Sequence, residues 1–296
     1  MQTEFYIKQF GKSFYWAGKF LPKNIFKDCS TLYAICRLID NFVDENQSRV
    51  KKDIKIFFRD YLKKESCHPV IREFKKLQIK HSIHNKLIMD LFYGAKLDTK
   101  IVKVKNNNEL IKYSYYVAGV VGLMMATIFK TKNKEALKHA IDLGIAMQIT
   151  NICRDVLEDA SMGRIYIPQT YLGKNITFEN VANKNIDEKK IYKAIVKTLD
   201  IAEKYYESGN MGIKYLPKKV QFSIYLASYL YRGIGIKIKK ISYENYFKQR
   251  VYLTTFEKVK TTLKCIIFFY IFKKIKYKKH LKKLHQPLIK IIYARI

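Results

Sequence analysis

The chain has 296 residues, of which 48% are hydrophobic, so it can bury a sizeable core in a single domain. Its formal net charge of +32 is accompanied by no nucleic-acid-binding motif, and we therefore expect no nucleic-acid partner. The 5 cysteines lack metal-ligand spacing, which argues for a reducing compartment and against disulfides or zinc, and no apolar run approaches the ~18–20 residues of a membrane-spanning helix.

The first residues, MQTEFYIKQFGKSFYW, contain no apolar signal core, so we expect no export and a cytoplasmic location. Apolar residues then recur at helical spacing through long stretches without proline, which predicts an all-α domain. We predict helices over residues 30–46, 51–64, 86–98 and 113–129, and a further helix that ends near Gly163. Residues 164–168 are predicted to form a turn and residues 170–190 a loop, and helices are predicted to follow.

Two aspartate pairs share the same four-residue spacing, Asp40 with Asp44 and Asp155 with Asp159. On a helix this spacing puts both carboxylates of a pair on one face, one turn apart, where they repel each other. A single pair of this kind is most often found on a solvated face, but apolar residues surround both pairs. Two such pairs that face each other would offer hard oxygen ligands, which suit magnesium.

An arginine accompanies each pair. Arg37 lies one turn before Asp40, and Arg154 immediately precedes Asp155. The planar guanidinium binds phosphate oxygens in two-point contacts. The two pairs and their arginines together predict a magnesium–diphosphate ligand.

The carboxyl-terminal part of the chain is strongly basic. Residues 237–296 contain 17 Lys and Arg but 2 Asp and Glu, interleaved with large apolar residues. Such a segment can lie on an anionic membrane surface, or it can pack its apolar side on the core. We expect the membrane surface, here the inner face of the cell membrane. No obligate protein partner is evident from the sequence.

An ordered set of sequence strings resembles the squalene/phytoene synthase family, the head-to-head prenyl diphosphate synthases, and is most similar to its bacterial phytoene-producing members. The strings are SFYWAGKFLP (13–22), YAICRLIDNFVDE (33–45), YSYYVAGVVG (113–122), LGIAMQITNICRDVLEDASMGRIYIP (143–168), AEKYYESGNMGIKYLP (202–217) and YRGIGIKI (231–238). The resemblance covers the chain to about residue 255. It implies a catalytic domain over residues 1–255, followed by a basic, amphipathic extension over residues 256–296.

The resemblance implies a single all-α isoprenoid-synthase helical bundle with a central cavity. By that resemblance Asp40, Asp44, Asp155 and Asp159 hold Mg²⁺, with Mn²⁺ as an expected substitute. It further implies three diphosphate-binding arginines, four residues that line the substrate pocket and a tyrosine that takes part in the chemistry. These are Arg37, Arg154 and Arg250; Ser13, Tyr33, Gln148 and Asn151; and Tyr113.

The activity that the resemblance implies is that of a phytoene synthase in carotenoid biosynthesis. Two geranylgeranyl diphosphates would condense through a cyclopropyl (prephytoene) diphosphate to phytoene and diphosphate, in a cavity that excludes water. The histidines do not cluster with the paired aspartates in the sequence, which gives histidine acid–base catalysis no support.

Two alternatives remain open within the family. The donors could be two farnesyl diphosphates, giving dehydrosqualene, or squalene, for which NADPH would be required. The chain could also be a non-catalytic, membrane-associated assembly factor with the same fold, although its intact aspartates and arginines argue against this.

Overall fold

The computed structural model describes residues 2–44, 50–131, 133–173, 175–183, 185, 187–271 and 280–291, without the side chains of residues 2, 44 and 50–54. Nearly all of this part of the chain is helical, as predicted. The α-helices are α1 (Gln2–Phe10), α2 (Lys12–Gly18), α3 (Lys23–Asp44), α4 (Val50–Leu62), α5 (Pro69–His81), α6 (Asn85–Leu97), α7 (Asn107–Ser114), α8 (Val120–Ile128), α9 (Lys134–Arg154), α10 (Val156–Ser161), α11 (Gln169–Leu172), α12 (Phe178–Ala182), α13 (Glu188–Gly212), α14 (Lys218–Lys240), α15 (Tyr243–Lys248) and α16 (Thr255–Ile266).

Helix α9 lies at the centre of the bundle and packs against α8, α13 and α14. Asn133 caps its start by accepting a hydrogen bond from the backbone N–H of Glu135. Along the helix Ile141, Ile145 and Ile149 are fully buried at four-residue intervals. Burial of each such side chain contributes about 1.5–3 kcal/mol, so α9 is a rigid support for whatever its other face carries.

Glycines allow two neighbouring segments to approach α9 closely. A Cβ on Gly122 of α8 would lie 2.1 Å from the backbone oxygen of Ala140, and a Cβ on Gly144 of α9 would lie 2.3 Å from that of Ala118. Both contacts are with backbone atoms, which cannot turn aside. This pair of contacts fixes the spacing between α9 and the continuous segment formed by α8 and the residues just before it.

Two helices that the sequence predicts as continuous are interrupted. Between α7 and α8, residues Tyr115–Gly119 form one π-helical turn. Between α9 and α10 the backbone of Asp155 departs from helical geometry, with φ −109° and ψ 21°. Hydrophobic spacing carries no signal for either irregularity, and both occur in segments that bear predicted site residues.

The predicted turn at 164–168 and the predicted loop at 170–190 are wrong in detail. Arg164–Ile165 (β2) pairs in parallel with Val102–Lys103 (β1), and α11 and α12 lie within the predicted loop. Helices of four and five residues are too short to show a hydrophobic period, and two-residue strands show no alternation.

The segment Asn107–Ile128, which spans α7, the π-helical turn and α8, is long and apolar enough to cross a membrane, contrary to the expectation that no stretch approaches that length. Its apolar character is accounted for by burial within the bundle, since Leu110, Tyr115, Val120 and Met124 are fully inaccessible.

Described parts of the carboxyl-terminal segment pack on the bundle. Helix α16 continues into a π-helical segment, Ile267–Ile271, and a 3₁₀-helical segment, Lys282–Leu288, places Leu284 and Leu288 in the core. Residues 272–279 and 292–296 of the predicted basic extension lie outside the described residues.

Candidate active site

A cavity of about 750 Å³ lies between α3, α8, α9, α13 and α14. One wall follows α9, where the lining residues recur at helical spacing. They are Ala136, His139, Ala140, Leu143, Gly144, Met147, Gln148, Asn151 and Arg154. From Ala136 to Arg154 the wall is ~27 Å long at 1.5 Å per residue.

Eight of the predicted site residues line this cavity: Ser13, Tyr33, Arg37, Asp40, Gln148, Asn151, Arg154 and Arg250. Its far part is lined by apolar and small residues that include Val121, Met125, Phe129 and Leu216. The cavity therefore combines a group of charged and polar residues with an apolar interior, as an amphiphilic ligand requires.

Asp155 is held by two arginines. Its carboxylate accepts hydrogen bonds from Nε and Nη2 of Arg154 at 2.8 and 2.5 Å, and from Nε and Nη2 of Arg250 at 2.8 and 3.0 Å. Burial raises the pKa of Asp155, but the two guanidiniums outweigh burial and keep the pKa below its ordinary value. Asp155 is therefore an anion at neutral pH, and both arginines lie at the cavity.

Asp159 has the opposite electrostatic environment. The backbone N–H of Asp159 donates to the carbonyl of Asp155 at 2.8 Å, so the two remain one turn apart despite the break in the helix. Burial raises the pKa of Asp159 well above its ordinary value, and the charge of Asp155 raises it further, while Arg164 opposes both. A divalent cation beside Asp159 would relieve this unfavourable charge.

The first aspartate pair lies near the carboxyl-terminal end of α3. Asp40 is exposed and lines the cavity. The backbone of Asp44 ends α3, and its side chain lies outside the described residues. Of the four predicted metal ligands, only Asp40 is among the described residues that line the cavity; Asp155 contacts the lining residues Arg154 and Arg250, and Asp159 lines a separate small pocket. The four-carboxylate cage stays a prediction.

Three buried polar atoms of residues that line the cavity lack a hydrogen-bond partner among the described residues. Nε of Arg37 and Oδ1 of Asn151 belong to the predicted diphosphate site, and the third is Nε2 of His139. The Arg37 guanidinium also lies over the ring of Phe10, 4.7 Å from its centroid. A buried donor and a buried acceptor that are both unsatisfied indicate that a ligand completes this site.

Tyr113 is not among the residues that line the cavity. Its hydroxyl donates to Asp98 at 2.8 Å, and Tyr166 donates to the other oxygen of the same carboxylate at 2.6 Å. The two rings stack with centroids 4.5 Å apart. Burial raises the pKa of Tyr113 well above its ordinary value, and the charge of Asp98 adds to this, so the phenol stays protonated.

Sequence reasoning missed several residues of the site. Asp98, which orients Tyr113, had a signal only as one of two carboxylates on the predicted helix 86–98. Tyr231 lies within a string that resembles the family; its ring stacks on Phe14 at 4.5 Å, and it interacts with Arg154. Lys12 and Lys258 both line the cavity, and burial together with the charge of Lys12 lowers the pKa of Lys258.

Comparisons with known sequences agree on one family. The sequence profile described as squalene/phytoene synthase matches residues 7–257. A 15-cis-phytoene synthase from Paracoccus sp. (strain N81106) is 33% identical over 262 residues, which is 83% of each chain. A 15-cis-phytoene synthase from Enterobacter agglomerans is 31% identical over 241 residues, covering 77% of this chain and 81% of that protein.

Comparisons with solved structures agree on the fold. A dehydrosqualene synthase in complex with a ligand superimposes with a TM-score of 0.78 at 25% identity, over 90% of this chain and 95% of that chain. A squalene synthase from Alicyclobacillus acidocaldarius superimposes with a TM-score of 0.68 at 19% identity, over 82% and 91% of the two chains. The predicted all-α isoprenoid-synthase bundle is confirmed.

Proposed function

Because the chain belongs to the squalene/phytoene synthase family, we propose that this prenyltransferase is a phytoene synthase, which joins two geranylgeranyl diphosphates head to head and releases diphosphate. The proposal rests mainly on the cavity wall that α9 forms. This wall runs from Arg154 and Asn151 at one end to apolar residues at the other. A diphosphate with a long hydrocarbon chain matches both ends of this wall.

The length of the cavity favours C20 donors. An extended chain advances ~1.15 Å per bond, so three isoprene units reach ~14 Å and four reach ~18 Å. On α9, Ala140 lies 11 residues before Asn151, or ~16 Å, and Ala136 lies ~22 Å before it. A C20 chain that starts beside Asn151 therefore ends between these two alanines, where the cavity wall continues.

The charged end suits diphosphate. Arg37 has an unsatisfied buried Nε, and Arg154 and Arg250 are already oriented by Asp155. Lys12 and Lys258 add two cations to the cavity lining, which suits a second diphosphate. Arginine and lysine would bind the leaving group and stabilise the charge that develops on it.

Magnesium fits the donor set at this end. Asp40 lines the cavity, Asp155 contacts its lining residues Arg154 and Arg250, and Asp159 lies one turn after Asp155. The buried Oδ1 of Asn151 is an oxygen with no hydrogen-bond partner in the described part of the chain. These are hard oxygen ligands, as magnesium requires. Magnesium held there, with Asp44 as a further ligand, would supply a Lewis acid for departure of the diphosphate.

The remaining residues exclude water and orient the hydrocarbon. Phe14, Tyr33 and Tyr231 form a cluster of rings on the cavity wall, with Phe14 stacked on Tyr231. Such rings shield a carbocation from water and present their negative faces to it. We assign Tyr113 a proton-holding role through Asp98, behind the cavity wall.

Incubation of the purified protein with geranylgeranyl diphosphate and Mg²⁺ tests the proposal. Phytoene and two equivalents of diphosphate per product should form without NADPH and cease with EDTA. Release of no hydrocarbon and no diphosphate would refute the proposal.

Dehydrosqualene synthesis is the second candidate, because the dehydrosqualene synthase is a structural neighbour with a TM-score of 0.78. It shares the mechanism and differs in donor length. A C30 product from farnesyl diphosphate without NADPH, with none from geranylgeranyl diphosphate, would favour it. A C30 product that depends on NADPH would indicate squalene synthesis.

We also propose that the protein acts on the cytoplasmic face of the cell membrane. Along α16 and the π-helical segment that follows, one stripe of large apolar residues faces outward: Phe256, Val259, Leu263, Ile267 and Ile271 are 75%, 40%, 57%, 43% and 69% exposed. Lys260 and Lys264 lie on the same helix, and Lys258 both belongs to it and lines the cavity. An anionic lipid surface complements these apolar and basic groups and would receive the hydrocarbon product.

A further inference from the structure

Three of the six histidines converge at a place that is separate from the aspartate pairs. His139 on α9, and His280 and His285 in the carboxyl-terminal segment, surround Asp142 of α9. The ring centroids of His280 and His285 are 4.3 Å apart, and those of His139 and His280 are 5.3 Å apart. The chain thus brings imidazoles from positions more than 130 residues apart to one carboxylate.

The two carboxyl-terminal histidines present the same ring atom to Asp142. Nε2 of His280 lies 2.8 Å from Oδ2, and Nε2 of His285 lies 2.8 Å from Oδ1. The side chain of Asp142 is fully buried, and those of His280 and His285 are 3% and 9% exposed. One donor atom from each of the three residues lies within 4.8 Å of the other two.

The charge on Asp142 needs a cation. Among the described residues its ion-pair partners are these two imidazoles, and its other contact is the hydroxyl of Ser208, which donates at 2.5 Å. A buried carboxylate is normally paired with a cation or coordinated to a metal. The two imidazoles and the hydroxyl satisfy its hydrogen bonds, and a metal ion bound between them would also compensate its charge.

We propose that Asp142, His280 and His285 form a binding site for a divalent transition metal, with zinc as the best-suited ion. Two imidazole nitrogens and one carboxylate form the donor set of zinc sites that take a fourth ligand from water or a hydroxyl. With metal–ligand bonds of ~2.0–2.2 Å, tetrahedral donors stand ~3.4 Å apart, so each N···O separation of 2.8 Å opens by ~0.6 Å to admit the ion. Magnesium prefers oxygen ligands and is excluded by the imidazoles.

Outer contacts already orient Asp142 and the backbone next to His285. Ser208 donates to Oδ2 of Asp142, and Nδ1 of His139 lies 3.2 Å from the Ser208 hydroxyl. The hydroxyl of Tyr205 donates at 2.7 Å to the backbone carbonyl of Leu284, next to His285. Hydrogen-bonded outer partners of this kind hold metal ligands in place.

The site fastens the carboxyl-terminal segment to the central helix. Asp142 lies 13 residues before Asp155 on α9, which is ~20 Å along the axis, so the metal takes no part in binding the diphosphate. Its role is structural, and the absence of cysteine ligands explains why cysteine spacing gave no indication of it.

Zinc binding by untagged, EDTA-treated protein tests the site, with a chromophoric chelator as competitor. We expect one tightly bound zinc per chain that a millimolar excess of Mg²⁺ does not displace. The double variant His280→Ala/His285→Ala should lower zinc affinity at least 100-fold. His81→Ala is the matched control, because His81 also contacts a carboxylate through Nε2, that of Asp28 at 2.8 Å, which it shares with the ammonium of Lys80. That variant should bind zinc like the parent.

Cobalt titration of the parent protein gives an answer that does not depend on how the variants fold. Saturation at one equivalent with the strong visible bands of a four-coordinate ion, reversed by zinc, would support the site. Weak binding with only the pale spectrum of hydrated cobalt would overturn it. Equal zinc affinity in the double variant and the parent would also overturn it, and Asp142 would then be a hydrogen-bonded anchor for two imidazoles.

Discussion

Arg250 and Asp155, which lie 95 residues apart in the chain, form a two-point ion pair at the cavity. The same carboxylate accepts a second two-point contact from Arg154. Before substrate binds, the aspartate thus orients two guanidiniums and leaves the group of three side chains with a net positive charge. When a diphosphate and its metal ion bind, the two arginines can contact the phosphate oxygens, and the carboxylate can contact the metal ion.

Replacement of Arg250 should weaken substrate binding with little effect on the fold. The Arg250 side chain is 55% exposed, whereas a charged hydrogen bond to phosphate contributes about 1.5–3 kcal/mol. We expect Arg250→Ala to lower kcat/KM by ~10–100-fold. Arg250→Lys should restore only part of the lost kcat/KM, because an ammonium cannot make the two-point contact. Steady-state kinetics measure this, with Arg59→Ala, an exposed arginine of α4, as the control. Unchanged kcat/KM in Arg250→Ala would remove Arg250 from the site.

Loss of a metal-binding carboxylate should abolish turnover. Asp40→Asn and Asp155→Asn each remove an anionic oxygen ligand while keeping the side-chain size, and we expect a fall in kcat of at least ~1,000-fold. Asp200→Asn is the control, because Asp200 is 62% exposed and pairs with Lys239 on the surface. Far-UV circular dichroism checks the fold. Normal turnover in both site variants would refute the assignment of Asp40 and Asp155 as metal ligands.

Replacement of Asp159 by asparagine should raise the stability of the metal-free protein and abolish its activity. Its pKa is raised in the fold, so the folded state is favoured when Asp159 is protonated and loses stability as pH rises through that pKa. In metal-free protein at neutral pH, Asp159→Asn should raise Tm by at least ~2 °C, which corresponds to ~1 kcal/mol in a chain of this size. Turnover should be lost in the same variant.

Thermal unfolding at several pH values separates this effect from a general one. The gain in Tm should disappear below the ordinary pKa of a carboxyl, where Asp159 of the parent is protonated in both states, and saturating Mg²⁺ should reduce it at neutral pH. A variant less stable than the parent at neutral pH would contradict the electrostatic account.

Ala140 should control donor length. It lies ~16 Å from Asn151, beyond the end of a C15 chain but short of the end of a C20 chain. Ala140→Phe should therefore cut turnover of geranylgeranyl diphosphate at least ~10-fold more than that of farnesyl diphosphate. Ala140→Ser is the size-matched control and should keep the parent preference. An equal loss of turnover with both donors would mean that the end of the C20 hydrocarbon chain does not lie beside Ala140.

The apolar stripe of α16 should bind anionic membranes. Leu263→Glu/Ile267→Glu introduces two charges at positions that are 57% and 43% exposed, so it spares the core. Flotation with vesicles that contain anionic lipid should recover the parent protein, but at least ~10-fold less of the variant, because both apolar burial and charge attraction are weakened. Lys112→Glu, a single charge reversal on α7, is the control. Equal flotation of the variant and the parent would show that the apolar stripe of α16 does not bind the membrane.

The sequence predicted the parts of the site that depend on local spacing. Asp155 and Asp159 stay one turn apart, and Arg37, Asn151 and Arg154 lie at the cavity as their helical positions imply. These relations hold because a helix converts sequence spacing directly into geometry.

The relations that the sequence could not give are long-range. The contact of Asp98 with Tyr113 depends on how α6 meets α7, and the convergence of His280 with Asp142 spans 138 residues. Tertiary packing decides both contacts, and no local pattern encodes them. The break at Asp155 likewise has no counterpart in the hydrophobic period.

A competition assay tests most directly whether this cavity joins two C20 donors. Equal concentrations of geranylgeranyl and farnesyl diphosphate are incubated with the protein and Mg²⁺, without NADPH, and the hydrocarbons are resolved by mass. We expect phytoene as the main product. A product that is mainly C30 hydrocarbon, or none of either length, would contradict it.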